Sequence, residues 1–193
     1  MNKITVFCGS STGNKPLFLV QAKSLGTILA RRNITLVYGG ARVGLMGALA
    51  DAVLESKGEV IGILPHFLRK KEVAHEGLTK LILVESMHDR KTMMNDHSDA
   101  VIALPGGFGT LEELFEMLTW AQLGLHEKPI GILNVAGYFD HLISFLNHMV
   151  EQGLLKKANL DMLIVDDDVD TLLNKMMNYR APLIPKWISE KTV

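Results

Sequence analysis

The chain has 193 residues, 48% of them apolar and 21% charged, and its formal net charge is −1. That length suits one domain with a full hydrophobic core, and the near-neutral balance argues against nucleic acid or a membrane surface as partner, since both call for a basic excess. A lone cysteine, Cys8, excludes an internal disulfide framework, and no run approaches the roughly 20 apolar residues of a membrane helix, so the cytoplasm is the expected compartment.

In chain order, residues 4–8 form a short apolar run halted by Gly9, which predicts a buried first strand and not a signal peptide. Residues 17–32 follow as a helix with Pro16 near its start. Strand two is expected at 34–38, ended by Gly39-Gly40, and a helix rich in Ala, Leu and Gly at 44–57. Strand three at 60–64 is closed by Pro65, and strand four lies at 81–84. A mostly polar helix covers 86–97, strand five 100–104, and a strongly apolar helix 110–123. The rest reads as strand 130–133, helix 138–152, strand 163–165 and helix 169–179. Residues 181–193, with Pro182 and Pro185, read as an irregular tail after a single domain spanning 1–180.

Strands that are apolar throughout and separated by helices imply a parallel sheet covered on both faces. The expected fold is therefore α/β, a Rossmann-like, doubly wound, three-layer α/β/α sandwich. Ligands of such folds bind beyond the carboxyl ends of the strands.

Three Gly-rich stretches lie at such ends and lead into helices: residues 9–13, residues 39–47, and Pro105-Gly106-Gly107-Phe108-Gly109-Thr110. Glycine alone makes tight turns, but three such loops at one sheet edge point to an anion, held by the unpaired N–H groups of helix starts. None spells G-x-G-x-x-G, and strand three ends in proline where a dinucleotide fold carries an acidic residue, so NAD is disfavoured. G-x-x-x-x-G-K-[ST] is missing too, which leaves a small phosphate ester such as a mononucleotide.

Thr110 and Glu113 have the spacing of a capping box, with Thr110 as N-cap and Glu113 at N3; the same carboxylate would also overlook a ligand on the Gly-rich loop. Ser86 and Asp89 repeat the capping pattern. Behind them Arg90 and Lys91 set two cations near the positive end of a helix, where a nearby anion would relieve them. Arg90 is the better candidate, because its fork grips phosphate or ribose oxygens and stays charged. Arg42, inside the second loop, is within reach of a phosphate, and Glu72 follows the charge run Arg69-Lys70-Lys71. His88 is expected at the surface, Cys8 in the core, and Asp166-Asp167-Asp168 at a helix start. Seven histidines are scattered without ligand spacing, so no metal is expected, and no cofactor.

Tyr38-Gly39-Gly40 through Gly47, Met87-His88-Asp89-Arg90-Lys91 and residues 105–113 together carry a resemblance. The chain resembles the LOG family of cytokinin riboside 5′-monophosphate phosphoribohydrolases, whose P-G-G-x-G-T-x-x-E and M-H-x-R-K motifs it matches in full at 105–113 and 87–91. The resemblance implies a homodimer that hydrolyses the N-glycosidic bond of AMP or N6-substituted AMP to free base and ribose 5-phosphate. It implies Arg90 and Glu113 as the catalytic pair. Gly106, Gly107, Gly109 and Thr110 would bind the phosphate. Gly40, Arg42, Met87 and Lys91 would complete the substrate site, with Glu72 near the base. Members often carry the label "lysine decarboxylase", for which the chain offers no lysine in a convincing pyridoxal-phosphate setting. The dimer has a second motive: residues 114–123 are apolar on more than one stripe of their helix. Alternatives are a non-catalytic nucleotide-binding or carrier module of the same fold, a deoxyribosyl transferase and a phosphatase.

Overall fold

The computed structural model describes residues 1–69 and 74–182. Seven parallel strands form one sheet: β1 (Lys3–Phe7), β2 (Thr35–Tyr38), β3 (Val60–Pro65), β4 (Lys80–Val84), β5 (Ala100–Ala103), β6 (Ile130–Leu133) and β7 (Leu163–Asp166). Their order is β4-β3-β2-β1-β5-β6-β7. The chain builds outward from β1 to β4, then returns to lay β5 on the other side of β1, with Ile4 in register with Leu36 on one flank and Ala100 on the other. The gap beyond the carboxyl ends of β1 and β5 is thus the topological switch point, where ligands of doubly wound sheets bind.

Among the described residues, α1 (Pro16–Arg31), α2 (Gly44–Glu55), α3 (His66–Arg69), α4 (Met87–Asp96), α5 (Phe108–Leu123), α6 (Asp140–Glu151) and α7 (Lys157–Leu160) lie between the strands, and α8 (Val169–Met177) follows β7. Alternation along each strand divides the core. Ile4, Val6, Leu36, Tyr38 and Ile102 meet α1, α2 and α8 on one face, while Phe7, Val37, Val101 and Ala103 meet α4, α5 and α6 on the other. Leu25, Leu29 and Leu49 are wholly buried between sheet and helices, each such side chain contributing about 1.5–3 kcal/mol.

The expected α/β/α sandwich is therefore the fold of the chain. Three details differ from the sequence reading. Pro65 belongs to β3 and sits opposite Val84, a strand-end position that its missing N–H tolerates. The four-residue helices α3 and α7 were not expected, being too short to show a period. Helix α5 begins at Phe108 and not at Thr110, with consequences for the site. The tail reading of 181–193 falls largely outside the described residues.

Candidate active site

The Gly-rich loops are tied to one another by backbone hydrogen bonds. Gly9 N–H donates to the Pro105 carbonyl at 3.0 Å, and Leu45 N–H donates to the Gly9 carbonyl at 3.1 Å. The loops after β1, β2 and β5 therefore form one floor at the switch point. Close approach requires the glycine at 106: a Cβ there would overlap the Thr110 hydroxyl and stand 2.9 Å from Gly9 N. Residues 9–13, Phe18, Leu45, Pro105, Gly106, Gly107 and Tyr138 enclose a cavity of about 310 Å3.

At the rim of this cavity α5 starts without a side-chain cap. Gly107 is its N-cap, in extended conformation, and the first helical bond runs from Leu111 N–H to the Gly107 carbonyl at 3.1 Å. The capping box expected between Thr110 and Glu113 does not form. The helix opens three residues earlier, so Thr110 closes its first turn and Glu113 falls in the second, out of reach of any cap. The amides of Phe108, Gly109 and Thr110 precede the first helical bond and carry the helix's partial positive charge. A side chain at Gly107 or Gly109 would meet nothing within 4 Å, so the space above them is open.

Freed from capping, Glu113 turns inward to Arg90. Helix α4 starts with a genuine capping box, in which the Ser86 hydroxyl accepts from Asp89 N–H at 3.0 Å and the Asp89 carboxylate accepts from Ser86 N–H at 3.1 Å. One residue on, Arg90 points beneath α5. Its Nη1 donates to Glu113 Oε1 at 2.7 Å and its Nε to the Ile63 carbonyl at 3.2 Å. Both side chains are about nine-tenths buried, 11% and 10% exposed. The guanidinium lies against Gly39, where any Cβ would overlap it, so part of the second Gly-rich loop exists to seat Arg90. Burial pushes the Glu113 carboxyl above the usual carboxylate range, and Arg90 only partly offsets this. Cys8 lies close by. Burial, with the negative charge of Glu113 added, pushes its thiol well up, so it stays a neutral core residue.

The other expected residues divide. Gly106, Gly107, Gly109 and Thr110 gather at the start of α5. Lys91 does not join them: its Nζ is bound to Glu112 at 2.5 Å and Glu116 at 3.1 Å on α5. The two cations at the head of α4 are therefore relieved by carboxylates of the protein itself. Met87 is exposed at the first position of α4, and His88 is exposed beside it. Gly40, with φ +76°, accepts from His75 N–H at 2.9 Å. Arg42 borders a different cavity, of about 440 Å3, together with Arg69, His75 and Glu76. Glu72 lies outside the described residues. Asp168 caps α8 by accepting from Thr171 N–H at 2.8 Å, as its position suggests. The Ile63 carbonyl and Tyr138 escaped the sequence reading. A backbone acceptor leaves no mark in a sequence, and Tyr138 looks like any first residue after a turn.

A model of the family described as "possible lysine decarboxylase" matches residues 46–176. A decarboxylase of that kind would need a lysine facing the cleft to hold pyridoxal phosphate, and two lysines near the sheet are engaged elsewhere. Lys91 is committed to two carboxylates. Lys128, whose pKa burial lowers, precedes β6 at the opposite edge of the sheet and donates to the Asn95 carbonyl. Among curated proteins, LOG1 of Arabidopsis thaliana, a cytokinin riboside 5′-monophosphate phosphoribohydrolase, is 46% identical over 98% of this chain and 89% of its own length. LOG3 of the same plant, which bears the same enzyme name, is 46% identical over 92% of this chain and 82% of its own. Among solved structures, the molybdenum cofactor binding protein of Rippkaea orientalis superposes with a TM-score of 0.69 at 23% identity, covering 91% of this chain and 95% of that one, and shares the fold. With 46% identity across nearly its whole length, the chain belongs to the LOG family of cytokinin riboside 5′-monophosphate phosphoribohydrolases.

Proposed function

We propose that this protein hydrolyses the N-glycosidic bond of AMP or an N6-substituted AMP, adding water across C1′–N9 to give free base and ribose 5-phosphate. The observation that carries the reading is a buried Arg90–Glu113 pair set behind a helix start with three unpaired amides. The LOG relatives, by name, act on nucleoside 5′-monophosphates.

The chemistry follows from charge. Breaking C1′–N9 leaves positive charge on the ribose ring, and a carboxylate facing that ring stabilises it, as in sugar hydrolysis. Glu113 supplies the carboxylate. Arg90 favours its ionised form against burial and fixes its direction. The amides of Phe108, Gly109 and Thr110, with the Thr110 hydroxyl, hold the 5′-phosphate. Binding energy gained there, away from the broken bond, positions C1′ over Glu113. Water is the only co-reactant.

Phosphate recognition is directly testable. kcat/KM for AMP is expected to exceed that for adenosine by about a hundredfold or more, the order of gain that positioning by a remote group supplies. Equal values for the two, measured by chromatography of released adenine, would remove the phosphate from the reading.

The working unit in this reading is a homodimer. Leu111, Phe115 and Leu118 on α5 are only half-buried by their own chain, and a second copy is the surface that would cover them. Sedimentation is expected at twice the 21.3 kDa of one chain, and a monomer at micromolar concentration would count against it. A nucleotide substrate and a single buried thiol suit the reducing cytoplasm.

A further inference from the structure

We propose that Tyr138 is a positioning residue for the phosphate cradle: its hydroxyl holds the Gly106 carbonyl, and so orients the peptide that leads the α5 amides into the cleft. The inference rests on the phosphate reading of that helix start. Tyr138 Oη donates to the Gly106 carbonyl at 2.6 Å, from a turn 32 residues further along the chain. The ring also walls the 310 Å3 cavity beside Gly106 and Gly107.

Two consecutive glycines carry little conformational restraint of their own. In a trans peptide the carbonyl and the following N–H point in opposite directions. Anchoring the Gly106 oxygen on Tyr138 therefore turns the Gly107 N–H away from Tyr138, and keeps the negative end of the peptide dipole from rotating toward a bound anion. The loop lacks this restraint and the hydroxyl supplies it.

Tyr138 is itself braced by two neighbouring rings. Its ring meets Phe18 edge-on at 5.5 Å between centroids and Phe139 at 4.9 Å. The turn before it is locked by Asn134, whose side-chain oxygen accepts from Phe139 N–H at 2.8 Å and whose amide donates to Asp140 at 2.7 Å. Ala136 in this turn has φ +52°, a left-handed conformation costly for a residue with a side chain and kept only where its surroundings enforce it.

The test compares wild type with Tyr138→Phe, which keeps the ring and loses the hydroxyl, and with Tyr138→Ala. Calorimetry measures binding of ribose 5-phosphate and of adenosine without turnover, and steady-state assays with AMP separate KM from kcat. For Tyr138→Phe, affinity for ribose 5-phosphate is expected to fall and KM for AMP to rise by about fivefold, the effect of one hydrogen bond, with adenosine affinity, kcat and Tm unchanged. Wild-type affinity for ribose 5-phosphate in Tyr138→Phe, with loss confined to Tyr138→Ala, would overturn the inference and leave the ring as packing. Equal weakening of adenosine would overturn it as well, by showing general distortion. Weakened ribose 5-phosphate binding in a protein that releases no base would uphold the positioning role while removing the hydrolase reading.

Discussion

Glu113→Gln is expected to bind AMP as tightly as wild type and to release adenine about 10³-fold more slowly, the scale of loss when one preorganised group that stabilises transition-state charge is neutralised. Glutamine preserves the shape and accepts the Arg90 hydrogen bond through its oxygen, so the fold is kept and only the charge is lost. The same carboxylate sets the acid limb of the pH profile. Its pKa is raised, chiefly by burial, so the active ionised form is lost as pH falls through a value above the usual carboxylate range. The plot of kcat/KM against pH should bend there in wild type, because it reports the free enzyme. An acid limb at the ordinary position of an exposed glutamate would mean that another group sets it.

Arg90→Ala should combine two losses. It removes the guanidinium that donates to both Glu113 and the Ile63 carbonyl, and leaves a carboxylate buried without a counter-charge. Breaking a buried pair in this one-sided way costs about 3–5 kcal/mol of stability, read as a lower urea midpoint with unchanged slope. Glu113 then loses the partner that fixes its direction, so activity at neutral pH falls at least as far as in Glu113→Gln. Arg90→Lys does not restore it: a single ammonium cannot reproduce a fork that serves two acceptors in different directions. An Arg90→Ala protein with wild-type urea midpoint would show that the pair is not formed in solution.

The strands and their burial were legible because a parallel sheet covered on both faces leaves apolar runs too short for helices, those of β1 and β2 followed within two residues by glycine and that of β5 by proline. Loops 9–13, 39–47 and 105–110 marked the cleft for the same reason. The pairing of Arg90 with Glu113 was not legible from local pattern. Thr110 and Glu113 stand at capping-box spacing, and only the early start of α5 at Gly107 shows the carboxylate to be free for other work. The partners of Lys91 were equally hidden. Beside Arg90 it stands at the head of α4, and only packing shows that Glu112 and Glu116, one turn apart on α5, pair with it. Gly39 read as a turn residue, and its role of seating the guanidinium emerges only when α4 is packed against β3. Tyr138 had no sequence signal at all, because the acceptor it holds is a backbone oxygen on another loop.

The most direct test of the catalytic role given to this pair is to incubate wild type and Glu113→Gln with AMP and identify every product by chromatography. Adenine and ribose 5-phosphate in equal amounts from the wild type, and the same two products about 10³-fold more slowly from the variant, is the predicted result. Adenosine with inorganic phosphate, or AMP bound and recovered intact, would contradict it.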